Sequence, residues 1–133
     1  MGLPATLARA MIGTPDAVSP ELLARHPELG GLDLRRGGLL PRLGGWCLGK
    51  ATVAGITVGR TVWLAPGAEA SAELLLHELC HVHQFEALRA FPLRYWWESL
   101  RRGYHQNRFE IDARQFAATR LSGARASIPH PEA

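Results

Sequence analysis

The stretch from Ala70 to Ala90 holds neither glycine nor proline, in a chain of 133 residues that carries 14 glycines and 9 prolines. Ala, Leu and Glu dominate it, so of all segments it has the least freedom to be anything but a helix. Ser71 stands where an N-cap belongs, Glu73 adds a favourable charge in the first turn, and Pro92 marks the stop. The spacing therefore predicts a helix over 70–90. Within it lies His77-Glu78-Leu79-Cys80-His81. Residues four apart share a helix face, so His77 and His81 present two imidazoles to one point in space. Leu75, Leu79 and Val82 form an apolar stripe beside them, which requires a core on that flank.

Two neutral imidazoles at this separation suit Zn²⁺, which takes four ligands in a tetrahedral arrangement. Glu78 sits about 100° further round the helix. From there its carboxylate need not ligate the metal, yet it reaches a bound water, whose pKa zinc lowers from 15.7 to roughly 7. H-E-x-x-H on a helix is the pattern of metalloproteases. A catalytic zinc takes three protein ligands and keeps one position open, so a third ligand must come from elsewhere. Gln84 and Ala87 stand where the metzincin pattern needs Gly and His, which excludes that class. Glu86, Glu98, His105, Glu110 and Asp112 are the downstream candidates. Glu86 lies about 13 Å from His77 along the same helix axis, too far to share an ion. Glu98 reads as a solvated residue of an aromatic helix, and Asp112 projects about 200° away from Glu110. Glu110 is the preferred ligand. Ala113 and Ala117 follow on its face, small enough to let this helix lie close against the first, with Phe109 and Phe116 buried on the adjacent flank. Cys80, inside the motif, is read as a small residue packing behind the site.

Composition bounds the rest. A hydrophobic fraction of 47% with 20% charged residues describes a globular chain of one domain. The formal charge is only +3, and the arginines are spread along the chain, a weak electrostatic case for nucleic acid. No secretory signal and no apolar run near the ~20 residues of a membrane span is present, so the expectation is a cytoplasmic protein with Cys47 and Cys80 reduced.

Along the chain, residues 1–45 read as a helical and loop region. Thr14-Pro15 and Ser19-Pro20 each suggest an N-cap followed by proline, giving short helices over 15–18 and 20–25. Arg35, Arg36 and Arg42 look like solvated surface. Residues 46–64 read as a β-hairpin, with strands over 46–53 and 56–64 and a turn at Ala54-Gly55. In the second strand Ile56, Val58, Val62 and Leu64 alternate with Thr57, Gly59, Thr61 and Trp63. An edge strand there can hold an extended peptide by main-chain hydrogen bonds. A helix follows from Phe91 to about Arg102, with Leu93, Trp96, Trp97 and Leu100 spaced to cover a core-facing stripe. The third-ligand helix spans 106–122, and 124–133 reads as a flexible tail.

The pairing of His77-Glu78-Leu79-Cys80-His81 with the later Asn107, Glu110 and Ala113 (Asn-x-x-Glu-x-x-Ala) resembles the gluzincin metallopeptidases. More narrowly, the hairpin ending in Pro66-Gly67, then Leu76 to Gln84, then Tyr104 to Ala113, looks like small bacterial zincin-like domains of uncharacterised function. Relatives in that group occur beside contractile injection systems or toxin modules. The resemblance spans about residues 56–120. It implies an α+β, zincin-like minimal domain over 1–123, with a hairpin or small sheet packed on the motif helix and a C-terminal helix. It further implies zinc on His77, His81 and Glu110, with Glu78 as general base. Thermolysin-like enzymes carry an oxyanion-stabilising His on a large C-terminal subdomain for which this chain has no room. Tyr104 or His105 is the nearest substitute. The expected activity is zinc-dependent hydrolysis of a peptide or protein substrate, with a protein partner as one way to complete the cleft. The competing expectation is a binding or assembly module that keeps the fold without turnover.

Overall fold

The structure, a computed structural model, describes residue 7 and residues 11–47 and 54–126. It is a mixed α+β arrangement in which one small sheet is covered by helices. The strands are β1 (Thr14–Pro15), β2 (Asp33–Arg36), β3 (Gly55–Val58) and β4 (Thr61–Leu64), in the spatial order β1-β2-β4-β3. β2 runs parallel to β4, and the other two pairings are antiparallel. The helices are α1 (Pro20–Arg25), α2 (Leu40–Cys47), α3 (Ala72–Ala87), α4 (Phe91–Arg102) and α5 (Arg108–Ala126), with a 3₁₀ turn at Pro27–Gly31. Among the described residues no helix is long and apolar enough to cross a membrane.

The core is built where β4 meets α3. Val62 and Leu64 point from the sheet onto Leu75, Leu76, Leu79 and Val82, and Leu29, Leu34 and Ala117 close the cluster. Ala113 and Ala117 are completely buried or nearly so, which lets α5 lie directly against α3 as the small-residue spacing predicts. A second, aromatic core ties the three C-terminal helices together. The Phe91 ring lies 4.8 Å from Phe85, 5.1 Å from Phe109 and 5.9 Å from Tyr95, centroid to centroid, with edge-to-face geometry.

The hairpin differs from its sequence reading. Residues 40–47 are helical, and 48–53, where most of the first strand was expected, lie outside the described residues. The turn is Gly59-Arg60, with Val58 paired to Thr61. Gly59 carries φ +63 at the first loop position, which a type II′ turn reserves for glycine. A two-residue loop changes the parity of the alternation. Thr57 pairs with Val62 and shares its inward face, while Val58 is exposed. Gly55 and Thr57, not Ile56 and Val58, therefore face the motif helix.

Three further readings are corrected. Thr14–Pro15 is a short strand on β2 rather than the start of a helix. Asp33–Arg36 is a strand inside the sheet, and its arginines are not simply solvated. Arg36 donates to the carbonyls of Ala65 and Ala68 (3.0 and 2.7 Å) and to Asp16, and Arg35 donates to the carbonyls of Ile12 and Gly13. Helix α4 also faces the other way round. Phe91, Tyr95 and Glu98 turn inward, and Leu93, Trp96, Trp97 and Leu100 turn out. By contrast α1 starts at Pro20 as read, with the Ser19 hydroxyl accepting from Leu22 N. Helix α5 passes Gly123 and continues to Ala126; the remainder of the expected tail lies outside the described residues.

Candidate metal centre

Helix α3 begins where the sequence places it. The Ser71 hydroxyl accepts from Leu74 N at 3.1 Å, and the helix then carries His77 and His81 onto one face with ring centroids 5.0 Å apart. Helix α5 is set by a different cap. Asn107, completely buried, accepts from Phe109 N at 2.9 Å, while its amide donates to the Tyr95 carbonyl (3.0 Å) and to Ser99 Oγ (2.9 Å). One side chain thus fixes the start of α5 and its docking on α4. One turn later Glu110 points at the two histidines.

His77 Nε2 lies 2.8 Å from Glu110 Oε2, and His81 Nε2 lies 3.0 Å from Glu110 Oε1. Ligand atoms of the three residues all fall within 4.8 Å of one another, so they could hold one metal ion. Two imidazole nitrogens and a carboxylate oxygen form a donor set that suits Zn²⁺. The surrounding bonds orient it. Gln84 Nε2 donates to the Phe109 carbonyl at 3.1 Å, which turns Gln84 Oε1 toward His81 Nδ1 at 2.7 Å. His81 Nδ1 must then carry the proton, leaving Nε2 to face the cluster either as a lone pair or as the second N–H of an imidazolium. This is the outer hydrogen bond that metal-binding histidines characteristically make. Tyr95, which the sequence reading did not single out, donates to Glu110 Oε1 at 2.6 Å. Its signal was present as the position four after Phe91 on the inward stripe of α4.

The electrostatics follow from this packing. For Glu110, burial pushes the carboxyl up, but hydrogen bonds from His77, His81 and Tyr95 and the field of His81 together hold it far below the usual carboxylate range. For His81, burial pushes the imidazole down, yet the Glu110 hydrogen bond and the charges of Glu78 and Glu110 outweigh it and raise the value to about 9. Burial, reinforced by Glu110, pushes the Tyr95 and Tyr104 hydroxyls well up, so both are proton donors at neutral pH. Cys80 is buried and outside the cluster, and burial with nearby Asp112 and Glu110 pushes its thiol up to about 11.

Glu78 is held apart from the cluster. It is buried, and Thr57 Oγ1 donates to its Oε2 at 2.6 Å. Gly55 leaves room for the same carboxylate. A Cβ there would stand 3.0 Å from Glu78 Oε1. Glu78, Gly55 and Tyr104 line both of two adjoining cavities. The smaller, about 240 Å³, extends past Ser71, Leu74 and His77. The larger, about 680 Å³, runs between β3 and α4 and is walled mainly by apolar groups.

The chain matches no known protein family, curated protein or solved structure. The site is therefore read from its own geometry. The other candidates are elsewhere: Glu86 is exposed and pairs with Arg60, Asp112 is exposed, and His105 is exposed and lines neither cavity. Glu98 is buried rather than solvated, 3.5 Å from Arg102 and 3.9 Å from Arg108.

Proposed function

We propose that this chain is a zinc-dependent metallopeptidase of gluzincin type, built on a minimal zincin-like domain. The observation that carries the reading is the convergence of His77, His81 and Glu110 beside a separately clamped Glu78, where two cavities meet. Zinc, when bound, polarises a peptide carbonyl and acidifies water. The remaining chemistry belongs to the chain. His77, His81 and Glu110 hold the ion, and Gln84 and Tyr95 orient His81 and Glu110. Glu78 takes the proton of the attacking water and returns it to the leaving amine. Thr57 fixes which carboxylate oxygen stays available for that transfer. The Tyr104 hydroxyl, kept protonated by burial, donates to the developing oxyanion. It lines both cavities where His105 does not, so the role falls to Tyr104. The substrate lies extended along β3, the terminal strand of the sheet on this side among the described residues, and the peptide adds as a further strand.

The short contacts of both histidines with Glu110 favour one alternative, a binding module in which these groups satisfy one another without a metal. Elemental analysis of protein purified without chelators or a metal-binding tag separates the two. About one zinc per chain, lost in His77→Ala and Glu110→Ala, supports the enzyme. A Glu78→Gln protein that keeps its zinc and still cleaves a peptide library would overturn the assigned base, and no zinc uptake at all would leave the binding module.

A further inference from the structure

Helix α4 presents four large apolar residues to solvent. Leu93, Trp96, Trp97 and Leu100 are 68%, 59%, 57% and 60% exposed. At 100° per residue they share a band about 100° wide. Arg94 and Arg101 lie along one margin of that band beside Trp97, and Arg89 precedes it in the turn from α3; all three are exposed. The one carboxylate of the helix, Glu98, is turned inward and buried near Arg102 and Arg108. The outward face is therefore apolar and cationic, with no anionic group of its own helix. Leu43 and Val58, also exposed, line the larger cavity opposite Trp96 and Leu100, so the apolar surface continues across the cavity mouth.

That combination selects among occupants. A soluble protein partner of ordinary composition would meet the band with mixed charge. An anionic bilayer offers an apolar interior for leucine, an interfacial layer that suits tryptophan, and negative headgroups for a basic margin. At 12 residues, about 18 Å, α4 is too short to span and the right length to lie in the interface. We propose that α4 docks the protein on anionic lipid surfaces, with the cavity mouth facing the membrane. The docking is independent of zinc and of catalysis.

The test is flotation of the full chain with vesicles of phosphatidylcholine alone and of phosphatidylcholine mixed with phosphatidylglycerol, alongside tryptophan emission. The expected result is flotation and a blue shift with the anionic vesicles only, weakening with salt. Leu93→Ser with Trp97→Ser, both outside the cavity lining, is expected to abolish it. Arg94→Gln with Arg101→Gln is expected to weaken it by about 30-fold, from the attraction of roughly two basic side chains to an anionic surface. Should the serine pair fail to fold by circular dichroism, the arginine pair decides. Equal flotation with both vesicles, no flotation, or flotation unchanged by either pair overturns the proposal. So does a concentration-dependent dimer in sedimentation that Trp97→Ser dissolves, because the face would then belong to a second copy of the chain.

Discussion

Replacing Asn107 by alanine is expected to destabilise the protein more than any surface change and to weaken the candidate metal site with it. The side chain is completely buried and makes three hydrogen bonds. Losing the cap leaves Phe109 N–H without its partner, which costs about 1 kcal/mol. Losing the amide removes one donor each from the half-buried Ser99 hydroxyl and the Tyr95 carbonyl, at about 1 kcal/mol each. The sum is about 3 kcal/mol. In urea, with an m-value of about 1.5–2 kcal/mol/M, the midpoint falls by about 1.5–2 M. Asn107→Ser keeps a capping oxygen and gives up only the amide bonds, so it is expected to recover about a third of the loss. Asn107 also sets the start of α5 one turn ahead of Glu110, so on the proposed zinc reading the affinity for zinc is expected to fall in Asn107→Ala as Glu110 loses its fixed position. Urea titrations with and without zinc measure both effects. A midpoint within 0.5 M of the parent (about 1 kcal/mol) would refute the reasoning, since it would mean that neither the cap nor the inter-helix bonds stabilise the fold.

Thr57→Val keeps the shape of β3 but removes the hydroxyl on Glu78; on the proposed peptidase reading, kcat is expected to fall about 10-fold or more with KM and zinc content unchanged, measured on a cleaved peptide. In chelator-treated protein, His81 has a folded value of about 9 against 6.5 unfolded, so its contribution is whole below pH 6.5 and is lost as pH rises to 9. Glu110, held below its ordinary 4.5, contributes above that pH and loses its contribution in acid. The urea midpoint is therefore expected to be highest between pH 4.5 and 6.5 and to decline toward pH 9, a decline absent in His81→Ala. Ala90 sits at φ +53 in the turn between α3 and α4, and Ala90→Gly is expected to raise stability by up to about 1 kcal/mol, measured by the same titration.

The parts of the site that the sequence disclosed are those governed by helix geometry. His77 and His81 share a face because they are four apart, Ser71 caps because serine precedes an uninterrupted helix, and Glu110 approaches because Ala113 and Ala117 are small. What stayed hidden depended on partners distant in the chain. Arg35 and Arg36 read as surface, since nothing nearby in sequence announces the carbonyls of Ile12, Gly13, Ala65 and Ala68 that they reach. Helix α4 carries two candidate stripes. Hydrophobicity favours Leu93, Trp96, Trp97 and Leu100, but the inward stripe is Phe91, half-buried Tyr95 and Glu98, chosen because Tyr95 reaches Glu110 and Phe91 fills the space between α3 and α5. Thr57 escaped notice because the sequence reads as one strand over 56–64; the chain turns at Gly59-Arg60, which puts Thr57 rather than Val58 on the face of Val62.

The two ends of the sheet are unequal. At one end β1 is two residues long and includes Pro15, which has no N–H to offer a neighbour. At the other end β3 is twice as long and contains no proline. Among the described residues, β3 is therefore the end of the sheet better suited to pair with an added strand, and its inward residues Gly55 and Thr57 lie against Glu78. On the proposed peptidase reading, the same four residues govern both the pairing of β3 with other chains and the capture of a substrate strand. On that reading, a sequence change that closes β3 to suppress aggregation is expected to weaken substrate capture as well.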